Sequence, residues 1–186
     1  QPPRKRKILF IGDSLITGVG CSPERDLGPA LPRSVAEFVS RHLRQDVEWT
    51  ALGHTGGNVR EIGISQVPRM QAEIARAKAQ GECFDAVVVV VGLNDFKRAY
   101  RSAQFTAGSF RSELAELVTT IQSAAGKQCT VVLPALPVHR APVFGGMWPL
   151  QPFLETLAGL WDEQKRSLAQ GVRRVSFVNH AEGDEW

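Results

Sequence analysis

The sequence predicts one α/β domain built on a five-stranded, mainly parallel sheet with helices on both faces. Three observations carry that expectation. Short apolar runs alternate with segments of helical periodicity along the whole chain. One of those runs, Val87-Val88-Val89-Val90-Val91, is β-branched and apolar on both faces, which suits a central parallel strand covered by helices on each side. The chain has 186 residues, 43% of them hydrophobic and 22% charged, enough for one well-developed core and too apolar for disorder.

Taken in order, Lys7-Ile8-Leu9-Phe10-Ile11-Gly12 reads as the first strand, an apolar run closed by glycine. A loop with Gly18, Gly20 and Pro23 follows. Leu31, Val35, Phe38, Val39 and Leu43 recur at helical spacing and predict a helix over about 29–44, with Pro32 tolerated in its first turn. Val47 to Gly53 is the second strand, and Gly53, Gly56 and Gly57 shape the loop after it. Ile74 and its alanine neighbours predict a helix over about 66–80, ended by Gly81. The valine run between Phe84 and Gly92 is the third strand. Phe110, Leu114, Leu117, Val118 and Ile121 fall on one helical face; Thr130 to Leu133 is the fourth strand. A Pro- and Gly-rich loop spans Pro134 to Pro152. Phe153, Leu157, Leu160, Trp161 and Leu168 mark a further amphipathic helix, and Val175 to Val178 is the last strand. No internal repeat and no linker divides the chain.

Composition removes several function classes. The net charge of +3 comes from four consecutive basic residues, Arg4 to Lys7; without them 18 basic residues face 19 acidic ones. The expectation is a solvated entry segment, because a nucleic-acid arm would interleave aromatics with more basic residues. No apolar run is long enough for stable membrane insertion, and no tripartite targeting signal opens the chain. Cys21, Cys83 and Cys129 are odd in number and lack CxxC spacing, so neither a zinc ribbon nor a disulfide framework is expected. No metal or organic cofactor is implied. The sequence carries no signal for compartment or oligomeric state.

Ligands in such sheets bind at the carboxyl ends of the strands, near the point where strand order reverses. Three loops there carry chemistry: Gly12-Asp13-Ser14-Leu15, Gly53-His54-Thr55-Gly56-Gly57-Asn58 and Gly92-Leu93-Asn94-Asp95. Ser14 lies just past a strand end in a tight turn entering a helix, where its hydroxyl faces the cleft. A serine hydroxyl is a poor nucleophile near neutral pH and needs an adjacent base. Attack on an ester creates an oxyanion, and three donors are placed to receive it: the Ser14 N–H, the Gly56 N–H and the Asn94 side-chain amide. In isolation Ser14 reads first as a helix cap, and Asn94 alone also fits a turn residue. Gly57 competes with Gly56. Asp13 and Asp95 read as braces for their loops.

Together the three segments resemble three of the four sequence blocks of the SGNH (GDSL-type) hydrolases. The resemblance implies a flavodoxin-like three-layer sandwich with strand order 2-1-3-4-5. It also implies a serine esterase acting on small-molecule carboxylic esters, with Ser14 as nucleophile and Gly56 and Asn94 in the oxyanion hole. Aligning Gly53-x-Thr55-Gly56 with the family's Gly-x-Ser-Gly favours Gly56 over Gly57. The fourth block, Asp-x-x-His, is missing: none of His42, His54, His139 and His180 has aspartate three positions earlier. The leading expectation is a domain over residues 1–186 truncated at its C-terminus, with the histidine beyond Trp186. A second reading makes His180 an off-pattern base, and a third makes the chain a catalytically incomplete enzyme. Phe144, Met147 and Trp148 read either as an acyl-chain wall or as packing on the domain's own core. The rival from another class is a flavodoxin-like module holding a phosphate at its strand ends. The lack of a Walker A sequence or GxGxxG after the first strand speaks against it.

Overall fold

The structure is a computed structural model and describes residues 5–19, 27–102, 104–139 and 150–179. Its strands are β1 (Arg6–Gly12), β2 (Val47–Gly53), β3 (Ala86–Val90), β4 (Thr130–Pro134) and β5 (Val175–Val178). They form one sheet in the order β2-β1-β3-β4-β5, and every pairing is parallel. The helices are α1 (Ser14–Thr17), α2 (Ala30–Leu43), α3 (Val59–Ala79), α4 (Asp95–Arg101), α5 (Ala107–Ala125) and α6 (Leu150–Gly171).

The two faces of the sheet are dressed differently, and β1 displays the alternation. Leu9 and Ile11 point into the larger core, with Met70 and Ile74 of α3, Phe110 and Leu114 of α5, and Trp161 of α6. Ile8 and Phe10 point the other way, onto Ile16 of α1 and Val35 and Val39 of α2. The valine run obeys the same period of two. Val87, Val89 and Val91 are sealed in the larger core, whereas Val88 is only half-buried among the smaller cluster.

Two helices differ from the expectation. The third helix starts at Val59, not near 66, because Asn58 and Glu61 form a reciprocal capping box: Asn58 Oδ1 accepts the Glu61 N–H (3.1 Å) and Glu61 returns the bond to the Asn58 N–H (3.0 Å). Its buried stripe runs Val59, Ile62, Gln66, Met70, Ile74 and Ala77, and the polar Gln66 together with Pro68 disguises the period. The single-turn-plus helix α4 was not expected at all, since its seven residues are mostly polar or charged. Within the basic entry segment Lys5 and Arg6 are exposed, as expected, and they also take acidic partners. Lys5 pairs with Glu48, Arg6 with Asp85, and Lys7 with both Glu48 and Glu82. These bonds stitch the amino ends of β1, β2 and β3 together.

The opposite, carboxyl end is set by register. Gly12 lies opposite both Gly53 of β2 and Val90 of β3, so three strands finish level. Two ladder-like bonds carry the order into the loops: Asp13 N–H to Val90 O (3.2 Å) and His54 N–H to Gly12 O (2.9 Å). Both glycines are sterically required. A Cβ on Gly12 would sit 2.3 Å from the Val90 carbonyl oxygen, and one on Gly53 would sit 2.3 Å from Thr17 Cγ2 and 2.7 Å from the Thr17 nitrogen. Helix α1 collapses onto the sheet only because both side chains are absent.

Gly12→Ala and Gly53→Ala are therefore expected to lower stability by about 1–3 kcal/mol or more through overpacking. Gly63→Ala, inside α3 with nothing within 4 Å of the added carbon, is expected to raise it by roughly 0.5–1 kcal/mol. Urea melts of the three variants check the opposed signs.

Candidate functional site

The first loop is built around Asp13, which is 1% exposed. It caps α1, accepting the Leu15 N–H on Oδ1 at 3.0 Å, and its carbonyl takes the Ile16 and Thr17 N–H groups. Gly18, left-handed at φ 75°, closes the turn. This leaves Ser14 at the first helical position, half-buried, with its hydroxyl and its backbone N–H unpaired among the described residues.

The second loop is a tight turn, His54-Thr55-Gly56-Gly57, closed by the Gly57 N–H to the His54 carbonyl at 2.9 Å. Gly56 stands third in it with φ 77°, the positive value that such a turn demands of glycine. The Gly56 N–H has no acceptor among the described residues. Gly57 differs: its carbonyl is engaged, and a Cβ there would press on the His54 ring at 3.0 Å.

Asn94 joins the loops. It is 8% exposed, and its Nδ2 donates to the Gly57 carbonyl (3.1 Å) and to Asp13 Oδ2 (3.4 Å), while its Oδ1 accepts from Lys97 Nζ (3.0 Å). Thus the structure gathers all three sequence-predicted residues: Asn94 is bonded to the immediate neighbours of Ser14 and of Gly56. Gly92 makes this possible. Its φ of 126° excludes other residues, and a Cβ would meet Leu136 and the Trp161 ring at 3.0 and 3.3 Å.

Asp95, fully buried, accepts the Val59 N–H at 3.2 Å and so ties the third loop to the start of α3. Arg98 approaches it at 3.4 Å, grips Glu113 with both terminal nitrogens and covers the Phe105 ring at 3.9 Å. Burial is the largest influence on Asp95 and lifts its pKa to about 6, against the lowering pull of the Val59 N–H and Arg98. Burial likewise raises Asp13, opposed by the Leu15 N–H and by the charges of Lys165 and Lys97.

Lys165, on α6, is sealed from solvent beneath the site. Its Nζ donates to the Pro134 carbonyl (2.9 Å) and lies 3.4 Å from Asp162, whose carboxylate takes the Leu136 N–H. Burial pushes the lysine down to about 8, with Asp162, Asp13 and Asp95 pulling upward. Sequence reasoning missed Lys165, Asp162 and Lys97. The one available signal was an Asp-x-x-Lys pair set inside the apolar stripe of Trp161 and Leu168.

No described histidine side chain pairs with Ser14. His54 Nδ1 is bonded to Ser65 Oγ at 2.7 Å, and His42 stacks on Phe38 with ring centroids 6.2 Å apart. Cys21, Phe144, Met147, Trp148 and His180 lie outside the described residues. Among the described residues no group of three His, Cys, Asp or Glu side chains is arranged to hold a metal ion, and no helix is long and apolar enough to cross a membrane.

A family model described as the GDSL-like Lipase/Acylhydrolase family matches residues 10–186. Similar solved structures include AlinE4, an SGNH-hydrolase family esterase: 18% identical, covering 96% of this chain and 77% of that one, TM-score 0.62. A mutant of Axe2, an acetyl-xylooligosaccharide esterase from Geobacillus stearothermophilus, is 17% identical over 94% of this chain and 75% of that one, TM-score 0.68. A Clostridium thermocellum family 3 carbohydrate esterase is 15% identical over 95% and 78%, TM-score 0.62. At these identities the likeness is one of fold. No protein of curated function matches the chain in sequence.

Burial holds a proton on Asp95 above the ordinary carboxylate range. Between pH about 4 and about 6 the native protein keeps a proton that the unfolded chain has released, so this group makes folding less favourable as pH rises through that window. A shift from 3.8 to about 6 corresponds to ~3 kcal/mol. Asp95→Asn keeps an acceptor for the Val59 N–H and removes the titration. Its stability relative to wild type, from urea melts, should rise by that order between pH 4 and 7; a pH-independent offset would contradict it.

Proposed function

The chain belongs to the GDSL-like lipase/acylhydrolase family, and from that premise we propose that it is a serine ester hydrolase of the SGNH type with Ser14 as its acyl-accepting nucleophile. In this reading the Ser14 Oγ attacks a carboxylic ester carbonyl, and the Ser14 N–H, the Gly56 N–H and the Asn94 Nδ2 receive the oxyanion. Collapse expels the alcohol and leaves an acyl-enzyme that water then hydrolyses. The observation that carries it is the pairing state of the donors. Two backbone N–H groups at converging loop tips lack any described acceptor, and the Asn94 amide lies between those same loops. The longer bond of Asn94, to Asp13 at 3.4 Å, is the one a substrate oxygen displaces.

The base is proposed to come from outside the described residues, either from His180 or from beyond Trp186. Small acetyl and other short- to medium-chain esters are the first substrates to test; the acetyl-ester name of one structural neighbour, Axe2, supports that choice. A catalytically silent binding module is the second reading. It rests on His54 being committed to Ser65 and His42 to Phe38, leaving Ser14 without a histidine among the described side chains.

A fluorophosphonate probe separates these readings. The hydrolase reading expects one phosphonyl adduct on Ser14 by mass spectrometry, abolished in Ser14→Ala and slowed about 10²–10³-fold in Asn94→Ala. A wild-type protein that carries the residues beyond Trp186 and still stays unlabelled supports the binding module. Labelling that survives in His180→Ala removes that residue as the base.

A further inference from the structure

We propose that Lys97 is a positioning residue for ester hydrolysis, fixing the Asn94 amide with its N–H₂ group toward the nucleophile loop and sharpening it as a donor. The inference rests on the reading of Asn94 as an oxyanion-hole donor. A side-chain amide can sit in either of two orientations that exchange oxygen for nitrogen, and its partners decide between them. Here every partner votes the same way. The ammonium of Lys97 meets Oδ1 at 3.0 Å; a carbonyl oxygen (Gly57) and a carboxylate oxygen (Asp13) meet Nδ2 at 3.1 and 3.4 Å. A flipped amide would set its oxygen against both acceptors and its N–H₂ against the ammonium.

Without Lys97, only Gly57 and Asp13 would oppose the flip. Both partners, moreover, compete with substrate for the very protons that must reach the oxyanion. Among the described contacts, Lys97 is the one that favours the productive orientation without consuming a proton of the amide. It is a charge-assisted bond, the stronger class, and a cation on the amide oxygen draws density from the nitrogen and strengthens the N–H groups as donors. Helix α4 supplies the placement. The Lys97 N–H bonds the Asn94 carbonyl at 3.2 Å, so the two residues share one turn, and the lysine stem reaches back to the residue that opens the helix. Lys97 is exposed, so trimming it opens no cavity.

The test is the saturation kinetics of Ser14 phosphonylation in wild type, Lys97→Met, Lys97→Arg, Asn94→Ala and the double variant Lys97→Met/Asn94→Ala. Lys97→Met is expected to lower the maximal labelling rate by about 10- to 100-fold, the range of one hydrogen bond to a charged group, with the half-saturating probe concentration within about twofold. Lys97→Arg should recover most of the rate. In the Asn94→Ala background the lysine change should cost nothing further, because its effect passes through the amide. A wild-type rate in Lys97→Met, beside a slow Asn94→Ala, overturns the Lys97 role and leaves the oxyanion reading standing. An additive loss in the double variant also overturns it. An Asn94→Ala protein that labels at the wild-type rate, or a wild-type protein carrying the residues beyond Trp186 that does not label at all, overturns the oxyanion reading and this inference with it.

Discussion

The arrangement of the three loops depends on the side chain of Asn94. The sheet brings the carboxyl ends of β1, β2 and β3 level, but level strands do not by themselves fix the loops beyond them. Asn94 does so by spending its two donors on two different loops, one on the Gly57 carbonyl and one on Asp13. Asp95, the next residue, repeats the device from the other side by capping the start of α3 through the Val59 N–H. Adjacent residues of one short segment thereby hold both the tip of the second loop and the helix that follows it. The cost is burial of polar groups, and each is repaid only because its partners are present.

That requirement explains the charges beneath the site. Asp13, Asp95 and Asp162 are buried carboxylates, and Lys165 is a fully sealed ammonium among them. Removing such ions from water is unfavourable, and a buried pair is at best weak evidence for stability. Their common feature is structural: Asp13 caps α1, Asp95 caps α3, and Asp162 holds the Leu136 N–H just past β4. Each carboxylate accepts backbone donors at the carboxyl end of the sheet, where parallel strands run out of ladder partners. The apolar packing of the larger core, from Leu9 through Phe110 to Trp161, supplies the stability against which those costs are set.

The sheet was legible because its signal is local and redundant. Most strands are short runs rich in apolar residues, and Val47–Gly53 and Val175–Val178 coincide with the observed strands. The three site segments were legible for a related reason: the topology of a parallel sheet states where loops converge, so only a few residues had to be inspected. What stayed hidden depended on contacts distant in the chain. The start of α3 is set partly by Asp95, 36 positions away. Gln66 and Pro68 mask the stripe of that helix, and α4 has too few apolar residues to declare itself. The pairing of Lys5, Arg6 and Lys7 stayed hidden because Glu48, Glu82 and Asp85 are reached across neighbouring strands. Lys165 looked like a surface lysine because nothing in its neighbourhood announces a carbonyl of β4 as its acceptor.

An anion beside a developing oxyanion raises a problem that the two lysines answer in different ways. Asp13 is required to shape the turn carrying Ser14, yet its charge lies within reach of the place where substrate would become negative. Lys165 faces that carboxylate from the protein interior, where counterions do not screen it, and Lys97 faces it from the solvent side through Asn94. The buried cation balances a charge that the fold needs permanently. In the proposed hydrolysis the exposed one would act where charge appears only during reaction, through the amide whose oxygen it contacts. Structural and chemical demands on the same few ångströms are met by separate residues, one on α6 and one on α4.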